Sequence, residues 1–190
     1  MLFNAPNLVT FSRIVLLPLI IGLYYLPDEW LSEHGKNTAA TVVFILAALT
    51  DWLDGYLARR LNQTSAFGAF LDPVADKLIV VGALIALLYL NRVDMLVALI
   101  IIGREIAISA LREWMAKVGQ AKSVAVAFVG KLKTVAQMIA IPLLLYNDEL
   151  FGVVDCRWLG TVLISIAAVL TVVSMLYYLR RALPHASARL

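Results

Sequence analysis

A bundle of six membrane-spanning α-helices with a short N-terminal interfacial segment is the architecture this sequence predicts. Three observations predict it. The chain is 62% hydrophobic and 15% charged over 190 residues, where a soluble domain would carry about 45–50% and about 25%. Six apolar stretches are each long enough to supply the roughly 17–25 helical residues that a hydrocarbon core demands. The basic residues crowd into alternate connections, the asymmetry that orients membrane helices.

The first stretch, Val9–Leu26, overlaps an opening segment Met1–Ser12 with apolar Leu2, Phe3, Leu8 and Phe11 around Pro6-Asn7. That segment fits an interfacial start, and Asn7 suits the N-cap of the first long helix. Arg13 ahead of Ile14–Leu23 has the look of a secretion signal. The following Tyr24-Tyr25-Leu26-Pro27-Asp28-Glu29 offers no small-residue cleavage pattern, so a retained helix is expected. The second and third stretches, Ala39–Leu61 and Asp72–Leu90, flank Asn62-Gln63-Thr64-Ser65. Asp72 before Pro73 reads as an N-cap followed by proline at the first helical position. The remaining stretches are Val93–Met115, Val124–Tyr146 and Val153–Leu179, with breaks at Asn91-Arg92, Gly119-Gln120 and Asn147-Asp148. No soluble domain, low-complexity tract or repeat interrupts the series, so residues 1–190 form one unit.

The net charge of +3 matters less than its distribution. The connections after the first, third and fifth stretches hold only Lys36, Arg92 and Arg157, beside Asp28, Glu29, Glu33, Asp94, Asp148, Glu149 and Asp155. Arg59, Arg60, Lys77, Arg112, Lys117, Lys122, Arg180, Arg181 and Arg189 fall on the other side. Both termini are therefore expected in the cytoplasm. A single cysteine, Cys156, excludes an internal disulfide and a cysteine metal cage.

Against this apolar background stand Asp51, Asp54, Asp72 and Asp76, four carboxylates within one short interval. An ionised Asp at the centre of a membrane helix costs roughly 2.5–3.5 kcal/mol. Four unpaired ones would oppose insertion by about 10–14 kcal/mol, less whatever is recovered near the interface. Stability does not explain such a cluster; a bound cation does. At about 100° per residue, Asp51, Asp54, Gly55, Ala58 and Arg59 share one helical face. Asp72 and Asp76, one turn apart, share a face of the next helix. Oxygen donors without nearby His or Cys suit Mg²⁺ or Mn²⁺. Four carboxylates can hold two such ions about 3.5–4 Å apart, the arrangement that clamps a phosphoryl group under in-line attack. Arg59 can grip a diphosphate bidentately, and Gly55 and Ala58 permit close approach of a ligand or a partner helix.

The string Asp51-x-x-Asp54-Gly55-x-x-Ala58-Arg59, then Gly68-x-x-x-Asp72-x-x-x-Asp76, resembles the signature of the CDP-alcohol phosphatidyltransferase family, with no departure from it. The resemblance implies a six-helix membrane homodimer that displaces CMP from a CDP-linked donor. It implies that Asp51, Asp54, Asp72 and Asp76 bind two divalent ions and that Asp76 is also the general base. Gly55, Ala58, Arg59 and Gly68 would surround the CDP group of CDP-diacylglycerol.

A second polar group lies in the fourth and fifth stretches. Arg104, in Gly103-Arg104-Glu105, and Arg112 are about 80° apart on a helix and can point into one cavity. Lys131 and Lys133, in Gly130-Lys131-Leu132-Lys133-Thr134, are about 160° apart and cannot both do so without distortion or snorkelling. Four cations on the side of the aspartates suit an anionic, phosphate-bearing acceptor.

Further matches to the family lie at Pro6-Asn7-x-x-Thr10-x-x-Arg13, Thr50 to Lys77, Gly-Arg-Glu-Ile at 103–106, Ser-Ala-Leu-Arg-Glu-Trp at 109–114 and Gly-Lys-x-Lys-Thr at 130–134. They resemble its bacterial members that use glycerol 3-phosphate as acceptor. By that resemblance Arg104, Arg112, Lys131 and Lys133 hold the acceptor phosphate, with Thr134 beside them. Asn7, Thr10 and Arg13 stand near the mouth, in binding or in capping and anchoring. The implied product is phosphatidylglycerophosphate, made for phospholipid synthesis at the bacterial inner membrane, with membrane lipid and no nucleic acid as partners. Inositol phosphate, serine or phosphatidylglycerol are alternative acceptors. A cation transporter is the alternative of another class, disfavoured by the apolar Ala39–Leu49 and Gly82–Leu90.

Overall fold

The computed structural model describes the backbone of residues 5–61, 66–119 and 128–187 and the side chains of 10–50, 68, 70–119 and 128–183. Six helices follow in order: α1 Ala5–Leu23, α2 Glu33–Leu61, α3 Ala66–Tyr89, α4 Met95–Lys117, α5 Phe128–Tyr146 and α6 Cys156–Ser187. A small antiparallel hairpin, β1 Glu149–Leu150 and β2 Val154–Asp155, joins α5 to α6. Phe128–Tyr146 and Cys156–Leu183 are long and apolar enough to cross a membrane, and Thr10–Leu23 is a shorter apolar helix. Helices α3 and α4 have comparable length but carry Asp72, Asp76 and Lys77, and Arg104, Glu105 and Arg112. The charges that make a candidate site are the ones that interrupt their apolar character.

Two helix starts differ from expectation. Helix α1 is continuous from Ala5, so Asn7 lies inside it and is not its N-cap. Pro6 sits in the first turn, where its missing N–H has no partner to lose. Helix α3 begins at Ala66, which leaves Asp72 and Pro73 inside the helix rather than at its start. Pro73 deprives the Ala69 carbonyl of its helical donor. Leu71, Ala75 and Ile79 nevertheless continue one buried stripe across it, and that packing outweighs the local preference. Helix α2 starts at Glu33 because Ser32 caps it, its Oγ accepting from Gly35 N at 3.2 Å. Asp94 caps α4 in the same way, accepting from Leu96 N at 2.8 Å.

The main core joins every helix: Ile20, Phe44, Ala83, Leu84, Leu87, Ile101, Ile141, Leu144, Ile164 and Ala168 are all members. Glycine sets two of its distances. A Cβ on Gly160 of α6 would lie 2.8 Å from Leu144 Cγ and 3.2 Å from Leu144 N of α5. One on Gly82 of α3 would lie 1.9 Å from Leu17 Cδ1 of α1. Small residues let these helices approach as membrane helices do. A second cluster, Ile108, Met115, Tyr178 and Ala182, fastens α4 to α6.

The end of the bundle that carries the hairpin is closed by caps. Asn91, at φ 54°, ends α3. Arg92 N donates to Leu87 O at 2.9 Å and Asn91 N to Leu88 O at 3.0 Å, the two bonds of a Schellman motif. Arg92, with a side chain 4% exposed, then reaches Leu145 O at 2.8 Å and Leu144 O at 3.4 Å on the last turn of α5. It also lies 3.4 Å from Glu33 Oε1 on α2. Lys36 donates to Leu26 O at 2.5 Å and to Asp28 Oδ1 at 2.7 Å. Arg92 thus complements the negative end of α5, while Lys36 ties down the connection that follows α1.

Candidate functional site

The helices bring two polar ladders to one cavity. On the first wall, Thr10 and Arg13 are three apart on α1, and Asp72 and Asp76 are four apart on α3, so each pair shares a face. Thr10 Oγ1 donates to Asp72 Oδ1 at 2.6 Å. The buried Arg13 guanidinium pairs with Asp76 and lies 4.0 Å from Asp72 Oδ1. The two carboxylates stay open, with side chains 47% and 46% exposed. A buried arginine against half-open carboxylates anchors the acids without enclosing them.

The second wall is built by α4, α5 and α6. Lys133, buried on α5, forms an ion pair with Glu105 of α4. Arg104 is also buried; its Nη1 lies 3.4 Å from Glu105 Oε1 and its Nη2 3.3 Å from Ser174 Oγ on α6. Tyr178, one turn beyond Ser174, sets its ring 5.8 Å from the Arg104 guanidinium carbon and 5.5 Å from that of Arg112. Arg112 Nη2 reaches the Tyr178 hydroxyl at 3.5 Å. Each such cation–π contact is worth about 0.5–2 kcal/mol, and together they hold two like charges beside one ring. Three cations and one carboxylate leave the wall at net +2. The buried Nε atoms of Arg104 and Arg112 have no hydrogen-bond partner among the described residues. A dianionic phosphate complements that charge and would supply those acceptors.

Between the walls lies a cavity of about 350 Å³, within the ~300–1,000 Å³ of small-molecule sites. Arg13, Asp76, Lys77, Arg104, Glu105, Arg112, Lys133, Thr134 and Tyr178 are among its lining residues. Fully buried apolar residues of the core, including Ala83, Leu87 and Leu144, lie farther along the same helices toward the hairpin end.

Of the residues expected from sequence, Asp76, Arg13, Arg104, Arg112, Lys133 and Thr134 reach the cavity wall. Asp72 and Thr10 join through their contacts to each other and to Arg13. Gly68 is buried near the start of α3. Lys131 is exposed and outside the lining, so the opposition of the two lysines on α5 stands and Lys133 alone turns inward. Thr134 donates to Gly130 O at 3.0 Å, which commits its hydroxyl to the helix. Asp51, Asp54, Gly55, Ala58 and Arg59 lie on the last three turns of α2, and their side chains, like that of Asn7, are outside the described ones. With two of the four aspartates outside, no group of three His, Cys, Asp or Glu gathers among the described residues. Asp72 and Asp76 alone fit a hard divalent cation: open carboxylates one turn apart on a cavity edge.

Three contributors had gone unassigned. Glu105 bridges two bases, pairing with Lys133 and lying 3.4 Å from Arg104 Nη1. Ser174 and Tyr178 extend, with Thr171, a stripe of buried polar residues along the otherwise apolar α6. Their spacing of three and four is the signal that finds them.

Comparison with known proteins bears on this geometry. The profile of the CDP-alcohol phosphatidyltransferase family matches residues 3–173. The chain is 47% identical over 184 residues to a protein of Shigella flexneri serotype 5b named CDP-diacylglycerol–glycerol-3-phosphate 3-phosphatidyltransferase. It is 47% identical to a protein of the same name from Escherichia coli K12. Each alignment covers 96% of this chain and 96% of the relative.

Proposed function

The chain belongs to the CDP-alcohol phosphatidyltransferase family, and from that premise we propose how its residues carry the reaction. The enzyme transfers the phosphatidyl group of CDP-diacylglycerol to glycerol 3-phosphate, yielding phosphatidylglycerophosphate and CMP for phospholipid synthesis. It is a membrane protein of apolar helices, and 1–190 is one catalytic unit. Six crossings place both termini and the site on the cytoplasmic side of the bacterial inner membrane. There CDP-diacylglycerol enters from the lipid, and the enzyme works as a homodimer.

One observation carries the assignment of roles: Asp76 and the Arg104–Arg112–Lys133 wall face the same cavity. Arg104, Arg112 and Lys133 hold the acceptor phosphate through charge-assisted bonds. Glu105 keeps the Lys133 ammonium and the Arg104 guanidinium at the cavity wall, and Tyr178 keeps the two guanidiniums beside its ring without neutralising them. Asp76 accepts the proton of the acceptor's primary hydroxyl as general base. The alkoxide attacks the phosphorus that bears diacylglycerol, and the bond to CMP breaks. Asp51, Asp54, Asp72 and Asp76 would hold two divalent cations, Mg²⁺ or Mn²⁺, whose positive charge would stabilise the diphosphate and the departing CMP. Gly55, Ala58, Arg59 and Gly68 receive the CDP group. Thr10 and Arg13 orient Asp72 and Asp76. Catalysis is chiefly positioning and charge complementarity. The apolar core toward the hairpin end weighs against an ion pathway.

The test is CMP release by purified protein with CDP-diacylglycerol and Mg²⁺ against a panel of acceptors. Release with glycerol 3-phosphate is expected. Release only with serine or inositol phosphate would overturn the roles given to the basic wall.

A further inference from the structure

Within the cavity one neutral polar group has no task. Gln137 is 3% exposed and lines the cavity, yet its Oε1 has no hydrogen-bond partner among the described residues. A buried amide left unpaired is disfavoured unless a ligand completes it. Gln137 lies four residues beyond Lys133 on the same face of α5, about 6 Å deeper along the helix axis. Ala140, Ile141 and Leu144 continue that buried stripe and are fully apolar. The amide is therefore the last polar group before the core. Thr134 has committed its hydroxyl to Gly130 O, and Tyr178 receives Arg112. Gln137 is left as the wall's available neutral donor and acceptor.

We infer that Gln137 reads the C2 hydroxyl of the acceptor. The inference rests on the placement of glycerol 3-phosphate in this cavity given above. With the phosphate on Arg104, Arg112 and Lys133 and the primary hydroxyl at Asp76, the middle carbon crosses between the walls. An alcohol both donates and accepts, and a carboxamide answers both needs. A cation or carboxylate answers one. Gln137 is thus a specificity residue: it selects a glycerol phosphate over a phosphate ester that lacks the secondary hydroxyl, because that ester leaves the amide buried and unpaired.

The experiment compares glycerol 3-phosphate with 3-hydroxypropyl phosphate, which lacks only that hydroxyl, as acceptors for the wild-type enzyme and for Gln137→Leu. CMP release gives kcat/KM for each. The wild type is expected to favour glycerol 3-phosphate by at least about tenfold, the equivalent of one hydrogen bond. In Gln137→Leu the ratio should fall to within about twofold, through loss on glycerol 3-phosphate alone. Gln137→Met keeps the unbranched shape and serves if the leucine variant does not fold. A wild type that does not discriminate, or a variant that weakens both acceptors equally, makes Gln137 a packing residue and overturns the inference while leaving the cavity's assignment intact. No release from glycerol 3-phosphate by the wild type would remove that assignment and the inference with it.

Discussion

Arg92 and Arg104 are buried guanidiniums twelve positions apart in sequence, and they meet opposite fates. Arg92, at the hairpin end, spends its donors on two carbonyls of α5 and on Glu33. Arg104, at the cavity, touches Glu105, Ser174 and the Tyr178 ring, and its Nε has no partner among the described residues. The same contrast extends to their neighbours. Lys36 ties down the connection after α1, whereas Arg112 leans on Tyr178 and its Nε has no partner among the described residues. Burial of a cation is common to both ends. What separates a structural cation from a binding one is whether the fold itself completes its bonds.

That contrast can be broken at either end. The largest effect is expected at Asp76, the acid facing the incomplete cations. Asp76→Asn should reduce kcat by about 10²–10⁴-fold, the range of general-base catalysis, while the protein still binds glycerol 3-phosphate. An unchanged turnover rate would remove Asp76 from the mechanism. Next comes Arg104→Met. Loss of a buried charge-assisted contact costs about 2 kcal/mol or more, so KM for glycerol 3-phosphate should rise at least about 30-fold. KM for CDP-diacylglycerol should stay near its original value. Arg92→Met strips donors from the α5 carbonyls, at about 1.5–3 kcal/mol, and should lower Tm by about 4–10 °C with both KM values unchanged.

The smallest effect belongs to the exposed pair His34–Asp148, 2.9 Å apart. Asp148 lies below the usual carboxylate range because Glu149 N–H donates to it and, secondly, because His34 does. A depressed carboxylate contributes stability above its unfolded value and loses it as pH falls through the folded one. The slight drop in Tm for Asp148→Asn at neutral pH should therefore vanish once the medium is acidic enough to protonate the native carboxylate. A difference that persists there would assign it to something other than charge.

Much of the comparison is legible in the sequence. The helical order, the breaks at Asn91 and Asn147 and the opposition of Lys131 to Lys133 follow from periodicity and capping alone. The N-cap reading of Asp72 failed because the rule for proline is local, while the stripe Leu71–Ala75–Ile79 that carries α3 through Pro73 is tertiary. Asn7 failed for a similar reason, since Pro6 fits a helix that starts earlier. The hairpin went unseen because its turn is Phe151-Gly152, both at positive φ, rather than the Asn-Gly that announces such turns. Gln137 and Tyr178 are ordinary in composition. Their meaning depends on which face meets the cavity, and that is decided by neighbouring helices. The carboxylates of Asp51 and Asp54 remain an expectation from spacing and resemblance.

The central claim is that the incomplete cations bind and the completed ones brace. CMP release measured against glycerol 3-phosphate concentration, with Arg104→Met and Arg92→Met side by side and Tm recorded for each, tests it most directly. A raised acceptor KM confined to Arg104→Met, and a lowered Tm with unchanged KM in Arg92→Met, is the predicted result. Equal rises in KM for the two variants, or a rise in Arg92→Met alone, would contradict it.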